Sequence, residues 1–413
     1  MAELLIRNAK IATPTRSGLH RGLAMQEVER REGVDVLFRN GLVAEVGAGL
    51  ASSTSSVIDA CGRVLVPGLV DCHTHACWAG SRIDEWEHKL AGADYLELLR
   101  GGGGIMATVR AVREASEDEL AATLLAELNR MLACGTTTAE VKSGYGLGTE
   151  HELKMLRAIV RAGESWAGRV VPTACIGHAI DGPHDVFVDR TIAETLPAVT
   201  EAFGPIAIDA YCESGAWSLD DCSRLFGAAA DAGHPCRVHA DQFNELGMVD
   251  HAIAHGFVSV DHLEASSGDA IRRLGASDTA GVMLPVCGVH LDGRFGDGRS
   301  LVDAGGGLAI ATNNNPGSAP CHSVPMAMAL AVRSVGLSPD ESLVAATANG
   351  AAVLGLDRVG HLSPGAAGDA LLLDAEDDRV LSYGLGPPPI AAVVCSGEIA
   401  WSEPGFGDGA VLS

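Results

Sequence analysis

The chain has 413 residues, of which 47% are hydrophobic and 20% charged, so it can bury a large core and global disorder is not expected. Its 53 acidic residues outnumber its 29 basic ones and give a formal net charge of −24. This excess argues against nucleic acid or an anionic membrane as a partner, but a small anionic substrate can still bind where a local arginine or a metal reverses the field.

The cysteines and the apolar segments indicate the compartment. Eleven cysteines are scattered from Cys61 to Cys395 without a CxxC pair, which does not form a disulfide framework. The N-terminus has no basic segment followed by a long apolar run, and no apolar stretch reaches the roughly 18 residues of a membrane span. The sequence therefore predicts a cytoplasmic protein in a reducing environment.

Both ends of the chain have the pattern of short β-strands. Residues 1–66 and 361–413 contain runs rich in Val, Ile and Leu that are separated by Gly, Asn and Pro. We expect these two ends to join into one composite β-sandwich domain that flanks a catalytic domain of residues 67–360.

The middle of the chain alternates strands and helices. Runs that are apolar throughout are typical of parallel strands buried on both faces. Eight runs that are mostly continuous in apolar residues rather than alternating lie at 68–72, 136–142, 169–176, 206–212, 236–240, 257–262, 281–286 and 308–313. They predict an α/β fold in which a (β/α)8 TIM barrel is joined to the β-sandwich.

Helix boundaries between these strands are marked by two local patterns. Capping boxes are predicted where Ser or Thr precedes Glu or Asp by three residues, at Ser116, Thr149 and Ser218. Glycines that end helices are predicted at Gly135, Gly163, Gly233 and Gly256. The run Gly101–Gly104 predicts a mobile loop near the barrel mouth.

Histidines gather where the predicted strands end, which is where TIM barrels place their active sites. His73 and His75 follow the first strand, and residues two apart in an extended segment point the same way. His178, His239 and His262 lie at the ends of the third, fifth and sixth strands. A lone histidine is more often a core or surface residue, but converging imidazoles predict one bound metal ion, Zn²⁺ first and iron second.

Several motifs then resemble a known family. PGLVDCHTH is similar to the signature of the amidohydrolase superfamily. Six segments within residues 67–320 together resemble the imidazolonepropionases, which open an imidazolone ring during histidine degradation: HTHACWAGSRIDEWEHKLAGADY, GGGGIMATVRAVREAS, GTTTAEVKSGYGL, VHADQF, VDHLE and ATNNNPGSAP.

The resemblance implies a metal-dependent hydrolase that acts on a carbon–nitrogen bond of a small anionic ring bearing a propionate. It implies His73, His75 and His239 as metal ligands, and it implies a homodimer. Arg82 is expected to hold the substrate carboxylate, as an arginine fork suits that group. The other implied substrate contacts are Tyr95, Tyr145, His178, Gln242, Asn315, Gly317 and Ser318.

Each of these residues also has an ordinary structural interpretation. Arg82 can form a surface ion pair with Asp84 or Glu85, and Tyr145 can be a packed wall residue. Asn315 to Gly317 can be a plain turn. A nucleobase deaminase of the same superfamily is a further alternative, but nucleobases carry no carboxylate and leave Arg82 unexplained.

The chain departs from the family at two carboxylates. The family pattern ATDxNPG has an aspartate where this chain has Asn313, and the family pattern HADE has a glutamate where it has Gln242. An amide cannot act as a general base, so Asn313 becomes a weak metal ligand at best and His262 becomes the remaining base.

Three hypotheses explain these two amides. The chain can be an imidazolonepropionase that depends on His262 alone. It can be a paralogue with a changed substrate, such as a desulfhydrase that acts on a thiohydantoin, a 2-thioxo-imidazolidinone propionate. It can also be a non-catalytic metal-binding homologue or an inactivated variant.

Overall fold

The computed structural model describes residues 3–51, 56–90 and 103–406. Tyr95 and half of the predicted mobile loop, Gly101 and Gly102, lie outside these residues. No helix within the described ranges is long and apolar enough to cross a membrane.

The central sheet confirms the predicted barrel. Eight strands pair in parallel and in chain order, and most of their residues are buried, as in a parallel sheet covered on both faces; several of the buried residues are polar or charged. We number them barrel strands 1 to 8: Leu69–Asp71, Thr136–Lys142, Arg169–Gly177, Ala207–Cys212, Cys236–Ala240, Ser259–His262, Ala280–Met283 and Leu308–Ile310.

The first and last barrel strands meet just beyond their carboxyl ends. The backbone N–H of Asn313 donates to the carbonyl of His73 (3.0 Å), and the N–H of His75 donates to the carbonyl of Asn314 (3.0 Å). These bonds set the residues after strand 8 beside the two histidines after strand 1, so the predicted metal ligands share one end of the barrel.

Helices surround the barrel and connect its strands. The α-helices are Ile83–Leu90, Ile105–Glu114, Glu117–Ala133, Thr149–Ser165, His184–Arg190, Leu196–Phe203, Leu219–Asp231, Met248–Ala254, Gly268–Ala276, Pro285–Leu291, Gly298–Asp303, Val324–Leu330, Pro339–Ala345, Ala348–Val353 and Val380–Tyr383. One 3₁₀ turn covers Gly22–Gln26, and π-helical turns cover Thr191–Thr195 and Ala331–Val335.

Two of the predicted helix boundaries are wrong for local reasons. Glu152 does not close a capping box, because its carboxylate accepts backbone N–H bonds from Gly144 (2.9 Å), Gly146 (2.7 Å) and Leu147 (2.8 Å) and so holds the loop after strand 2. Gly163 lies inside Thr149–Ser165, where a Cβ would lie 2.9 Å from Val170.

The other boundary signals are confirmed. Capping boxes form at Ser116 and Ser218, and Gly135, Gly233 and Gly256 follow helices with positive φ. The predicted seventh strand is too long, because Pro285 begins a helix instead.

The two chain ends join into a second domain, as predicted. Its strands form one mixed sheet: Glu3–Pro14, Val28–Arg39, Leu42–Gly47, Val57–Asp59, Val64–Pro67, Ala370–Leu373, Ile390–Cys395 and Glu398–Ser402. The two arms of this sheet cover a shared apolar core that includes Val36, Phe38, Leu372 and Val394. The exact boundaries at residues 66 and 361 stay a prediction.

Gly68 marks the passage from the terminal sheet into the barrel. It lies between the strands Val64–Pro67 and Leu69–Asp71, and a Cβ there would lie 2.1 Å from the side-chain oxygen of Thr137. Only glycine fits this close approach, which brings the first barrel strand directly off the terminal sheet.

Candidate active site

A cavity of about 190 Å³ opens at the carboxyl ends of the barrel strands. It contains nearly every residue that the sequence analysis singled out: His75, Arg82, Tyr145, His178, His239, Gln242, His262, Asn313, Asn315, Gly317 and Ser318. His73 lies fully buried beneath it. Larger cavities exist elsewhere, but none of them contains this set of polar groups.

Two histidines below the cavity are oriented by carboxylates. The Nδ1 atom of His73 lies 2.6 Å from Asp261, and the Nδ1 atom of His239 lies 2.9 Å from Asp209. This arrangement fixes each ring and leaves Nε2 as the nitrogen for a ligand. The Nε2 atom of His239 lies 3.0 Å from that of His75.

The donor atoms of this cluster fit a metal ion. Ring nitrogens of His73, His239 and His262 all lie within 4.8 Å of one another. Within the described part of the chain, Nε2 of His73, Nδ1 of His75 and the Oδ1 atom of Asn313 are buried without a hydrogen-bond partner. Burial lowers the pKa of His73 and His75 well below the usual value, so the rings are neutral, as metal ligation requires.

This geometry widens the predicted ligand set. His262, predicted as the base, lies within ligand distance of His73 and His239. His75 contacts His239 of this group through Nε2 (3.0 Å). The group is rich in nitrogen ligands, and such sets suit Zn²⁺.

A layer of buried charges supports the histidines from below. We call it the buried ion network; its members are Glu140, Lys142, Asp209, Arg237 and Asp261. The Lys142 ammonium lies 2.6 Å from Asp209, and the Arg237 guanidinium lies 2.7 Å from Asp261. Both cations also contact Glu140, which leaves the network with one more carboxylate than cations and so favours a cation above it.

Arg82 lies in the cavity wall with part of its guanidinium already bound. Its Nε and Nη2 atoms each donate to Glu85 over 2.6 Å, and Glu85 also accepts from the backbone N–H of Gly104 (2.8 Å). The predicted ion pair thus exists, but its side chains are only 11% and 10% exposed, so it is part of the cavity. A Cβ at Gly317 would lie 2.9 Å from the Nη1 atom, which explains the glycine there.

Asn315 lines the cavity and shapes the loop after strand 8, and its role as a substrate contact stays a prediction. Its Oδ1 atom accepts the backbone N–H groups of Gly317 (2.8 Å) and Ser318 (2.7 Å), and its Nδ2 group donates to the carbonyl of Asn313 (2.6 Å). The turn interpretation is therefore correct for Asn315, and this turn places Gly317 and Ser318 against the cavity.

The loop after strand 2 and the end of strand 3 form the opposite wall. The rings of His178 and His75 stack with centroids 4.6 Å apart. The carbonyl of Gly144 lies 3.0 Å from Nδ1 of His178, and burial lowers the pKa of His178 to about 3. Burial also raises the pKa of the Tyr145 hydroxyl, so both side chains are neutral hydrogen-bonding groups at neutral pH.

Gln242 has two partners that the sequence analysis did not place in the site. The Tyr211 hydroxyl donates to its Oε1 atom (2.8 Å), and its Nε2 group lies 3.4 Å from the sulfur of Cys287. A signal for Tyr211 existed, because it lies two residues after Asp209 and thus on the same face of strand 4. Burial raises the pKa of the Cys287 thiol to about 12.

Comparison with known proteins identifies relatives of this chain. The model of the amidohydrolase family matches residues 64–400. The imidazolonepropionase of Rubrobacter xylanophilus is 43% identical over 411 residues, which cover 95% of this chain and 97% of that protein. The imidazolonepropionase of Deinococcus radiodurans is 42% identical over 390 residues, which cover 94% of this chain and 97% of that protein.

Solved structures show the same fold at low identity. The 5-methylcytosine deaminase of Klebsiella pneumoniae superposes with a TM-score of 0.75 at 16% identity, covering 97% of this chain and 98% of that chain. The guanine deaminase of E. coli gives a TM-score of 0.74 at 16% identity, covering 98% and 100%. At this identity the likeness concerns the fold alone.

Proposed function

Since the chain belongs to the amidohydrolase family and, within it, to the imidazolonepropionases, we propose that it hydrolyses the ring of imidazolonepropionate. The observation that carries this proposal is the placement of Arg82 and the histidine cluster in one cavity of about 190 Å³. A small ring with a propionate arm can reach both at once. Hydrolysis adds water to the carbon between the two ring nitrogens, and one carbon–nitrogen bond then breaks.

One metal ion, with Zn²⁺ as our choice, would be held by His73, His75 and His239, with Asn313 as a weak ligand. When bound, it supplies Lewis-acid polarisation and a lowered pKa for water. The neutral rings, the buried donor atoms without partners and the excess negative charge below them support this assignment.

His262 is our proposed base and acid. Both carboxylate oxygens of Glu264 lie near its Nδ1 atom, at 3.1 and 3.2 Å, so Nε2 is the nitrogen that faces the other histidines. Asn313 and Gln242 cannot accept a proton near neutral pH. His262 would take a proton from the attacking water and return it to the leaving nitrogen.

The remaining side chains bind and orient the ring. Arg82, already fixed by Glu85, would receive the propionate on the Nη1–Nη2 edge of its guanidinium. Tyr145 and His178 would donate to, or accept from, the ring from one wall, and Gln242 would do so from the other. Gly317 and Ser318 would line the propionate arm. A role for Tyr95, a homodimer and a cytoplasmic location stay predictions.

A turnover assay tests the proposal. The metal-loaded protein is given imidazolonepropionate and, separately, its 2-thioxo analogue, while ring absorbance and sulfide release are followed. We expect loss of the imidazolone ring without sulfide release from the analogue. Sulfide release would favour the desulfhydrase and inactivity on both rings would favour the non-catalytic homologue, neither of which the relatives favour.

A further inference from the structure

Cys287 lies beside Gln242, a residue of the cavity wall, and contacts neutral hydrogen-bond donors. It is 1% exposed, and its sulfur lies 3.4 Å from the Nε2 group of Gln242. The side chains of Asn313 and Ser318 also reach the sulfur. Amides and a hydroxyl can donate to a thiolate, whereas carboxylates at positions 242 and 313 would repel one. Burial and the Glu264 carboxylate keep this thiol protonated while no cation is bound, and the three donors would support the sulfur once a cation displaces its proton.

His262 and Glu264 complete a group of three different ligand types. One ligand atom from each of His262, Glu264 and Cys287 lies within 4.8 Å of the other two. The three side chains are buried, and the carboxylate of Glu264 faces the Nδ1 side of His262, away from the histidine cluster. Nitrogen, oxygen and sulfur ligands at such distances need to move inward by only a small amount to reach one ion.

We propose that His262, Glu264 and Cys287 form a second metal site, beside the first, for a thiophilic divalent cation such as Zn²⁺ or Cd²⁺. Glu264 and the thiolate bring two negative charges to one divalent ion, and the thiol proton leaves to solvent as the ion binds. The sulfur distinguishes this site from the histidine cluster, which offers nitrogen and oxygen ligands.

Another group of three side chains is a weaker candidate for a second metal site. Ligand atoms of Cys175, Asp209 and His239 also lie within 4.8 Å of one another. There, however, the Lys142 ammonium lies 2.6 Å from Asp209 and would repel a cation. At the proposed site, the Arg294 guanidinium also influences Glu264, but it is paired with Asp292 over 2.6 Å.

Occupation of the second site would inhibit the enzyme. The second ion takes the Nδ1 atom of His262 and pulls Glu264 from it, so His262 can no longer exchange a proton with the substrate. This consequence rests on the proposed function, in which His262 is the base. Binding of the second ion does not depend on the proposed function. The second metal site and the role of His262 as the base can therefore be disproved separately.

The first experiment adds Cd²⁺ to protein that already holds its stoichiometric metal. We expect one further Cd²⁺ per chain and an ultraviolet thiolate-to-cadmium charge-transfer band. Cys287→Ser should abolish the band and lower the affinity for the second Cd²⁺ by at least about tenfold. Removing a residue that only hydrogen-bonds to a metal ligand already costs about that much affinity. Cys175→Ser, a change at another buried cysteine, should leave both unchanged. Absence of the second ion, or a band that persists in Cys287→Ser, would overturn the site.

A second measurement needs no substitution and covers the case in which Cys287→Ser does not fold. Cadmium-113 NMR of the unsubstituted protein should show a second resonance in the region of sulfur-ligated cadmium. A second resonance in the region of nitrogen and oxygen ligands alone would contradict the site. In the turnover assay, excess Cd²⁺ should inhibit the unsubstituted enzyme; inhibition without the sulfur resonance would place the inhibitory ion elsewhere.

Discussion

The barrel interior contains two adjacent polar layers that differ in how they are satisfied. In the buried ion network each charged group has an oppositely charged partner within the network. In the histidine cluster directly above it, His73, His75 and Asn313 keep buried atoms that have no partner among the described residues. Both layers are equally buried, so exposure does not explain the difference.

This difference indicates that the buried ion network supports the barrel, whereas the histidine cluster binds a ligand. A buried polar group without a partner costs free energy, and folded proteins keep few of them. When such groups lie together on a layer whose charges are all in ion pairs, the lower layer fixes geometry and the upper one is left for a ligand. The contacts of Asp261 and Asp209 with His73 and His239 join the two layers.

The largest expected effect comes from the upper layer. His239→Ala should remove the central member of the cluster, lose the bound metal and lower kcat/KM by about a thousandfold, since metal catalysis supplies several kcal/mol. Metal content and turnover are measured on the same preparation. His255→Ala, at an exposed helix end, should leave both unchanged. Full metal content in His239→Ala would remove this residue from the ligand set.

A substitution in the buried ion network should lower the free energy of unfolding. Arg237→Met leaves Glu140 and Asp261 without their guanidinium, and breaking a buried pair from one side costs about 3–5 kcal/mol. Denaturant unfolding of the metal-free protein measures the loss. Arg272→Met breaks a pair on the surface and is the matched control. An equal response of the two variants would mean that the network does not support the barrel.

One contact between the layers can be weakened by a substitution that also weakens the Lys142–Asp209 ion pair. Asp209→Asn keeps the shape of the side chain but removes the carboxylate from Nδ1 of His239, so metal affinity should fall by about 10- to 100-fold. Competition with a chelator measures it. Asp181→Asn, in a partly exposed pair with Arg113, should not change the affinity. An unchanged affinity in Asp209→Asn would show that the network acts on stability only.

The fold was predictable because its signals are local. Eight apolar runs with turn residues between them define the barrel, and the spacing of His73 and His75 places two imidazoles on one side. The ion network was not predictable from the sequence, because a pair such as Lys142 and Asp209 is 67 residues apart and forms only when particular strands become neighbours. A buried lysine in a strand is a weak signal before its partner is known.

The errors have a similar cause. Glu152 has the spacing of a capping residue, but the loop that carries Tyr145 presents three backbone N–H groups that compete for its carboxylate. Cys287 lies beside Gln242 only because the chain turns into a helix at Pro285. Local patterns give the residue types at the strand ends, whereas the contacts between loops decide which of them touch.

The smallest expected effect concerns the rim of the cavity. There Arg82 is held by an ion pair, like the buried ion network, and also lines the cavity, like the histidine cluster. Glu85 satisfies one edge of its guanidinium, as in the lower layer, while Nη1 makes only a long contact with the Thr108 hydroxyl (3.4 Å) and the side chain lines the cavity. Glu85→Gln should raise KM for the propionate substrate by about tenfold without changing kcat, since a charge-assisted hydrogen bond contributes roughly 1.5 kcal/mol or more to holding Arg82 in place. Asp84→Asn, at an exposed position on the same helix, is the control and should behave like the unsubstituted enzyme. A fall in KM would mean that Glu85 competes with the substrate for Arg82 instead of positioning it, and the support seen in the buried ion network would then not extend to the rim.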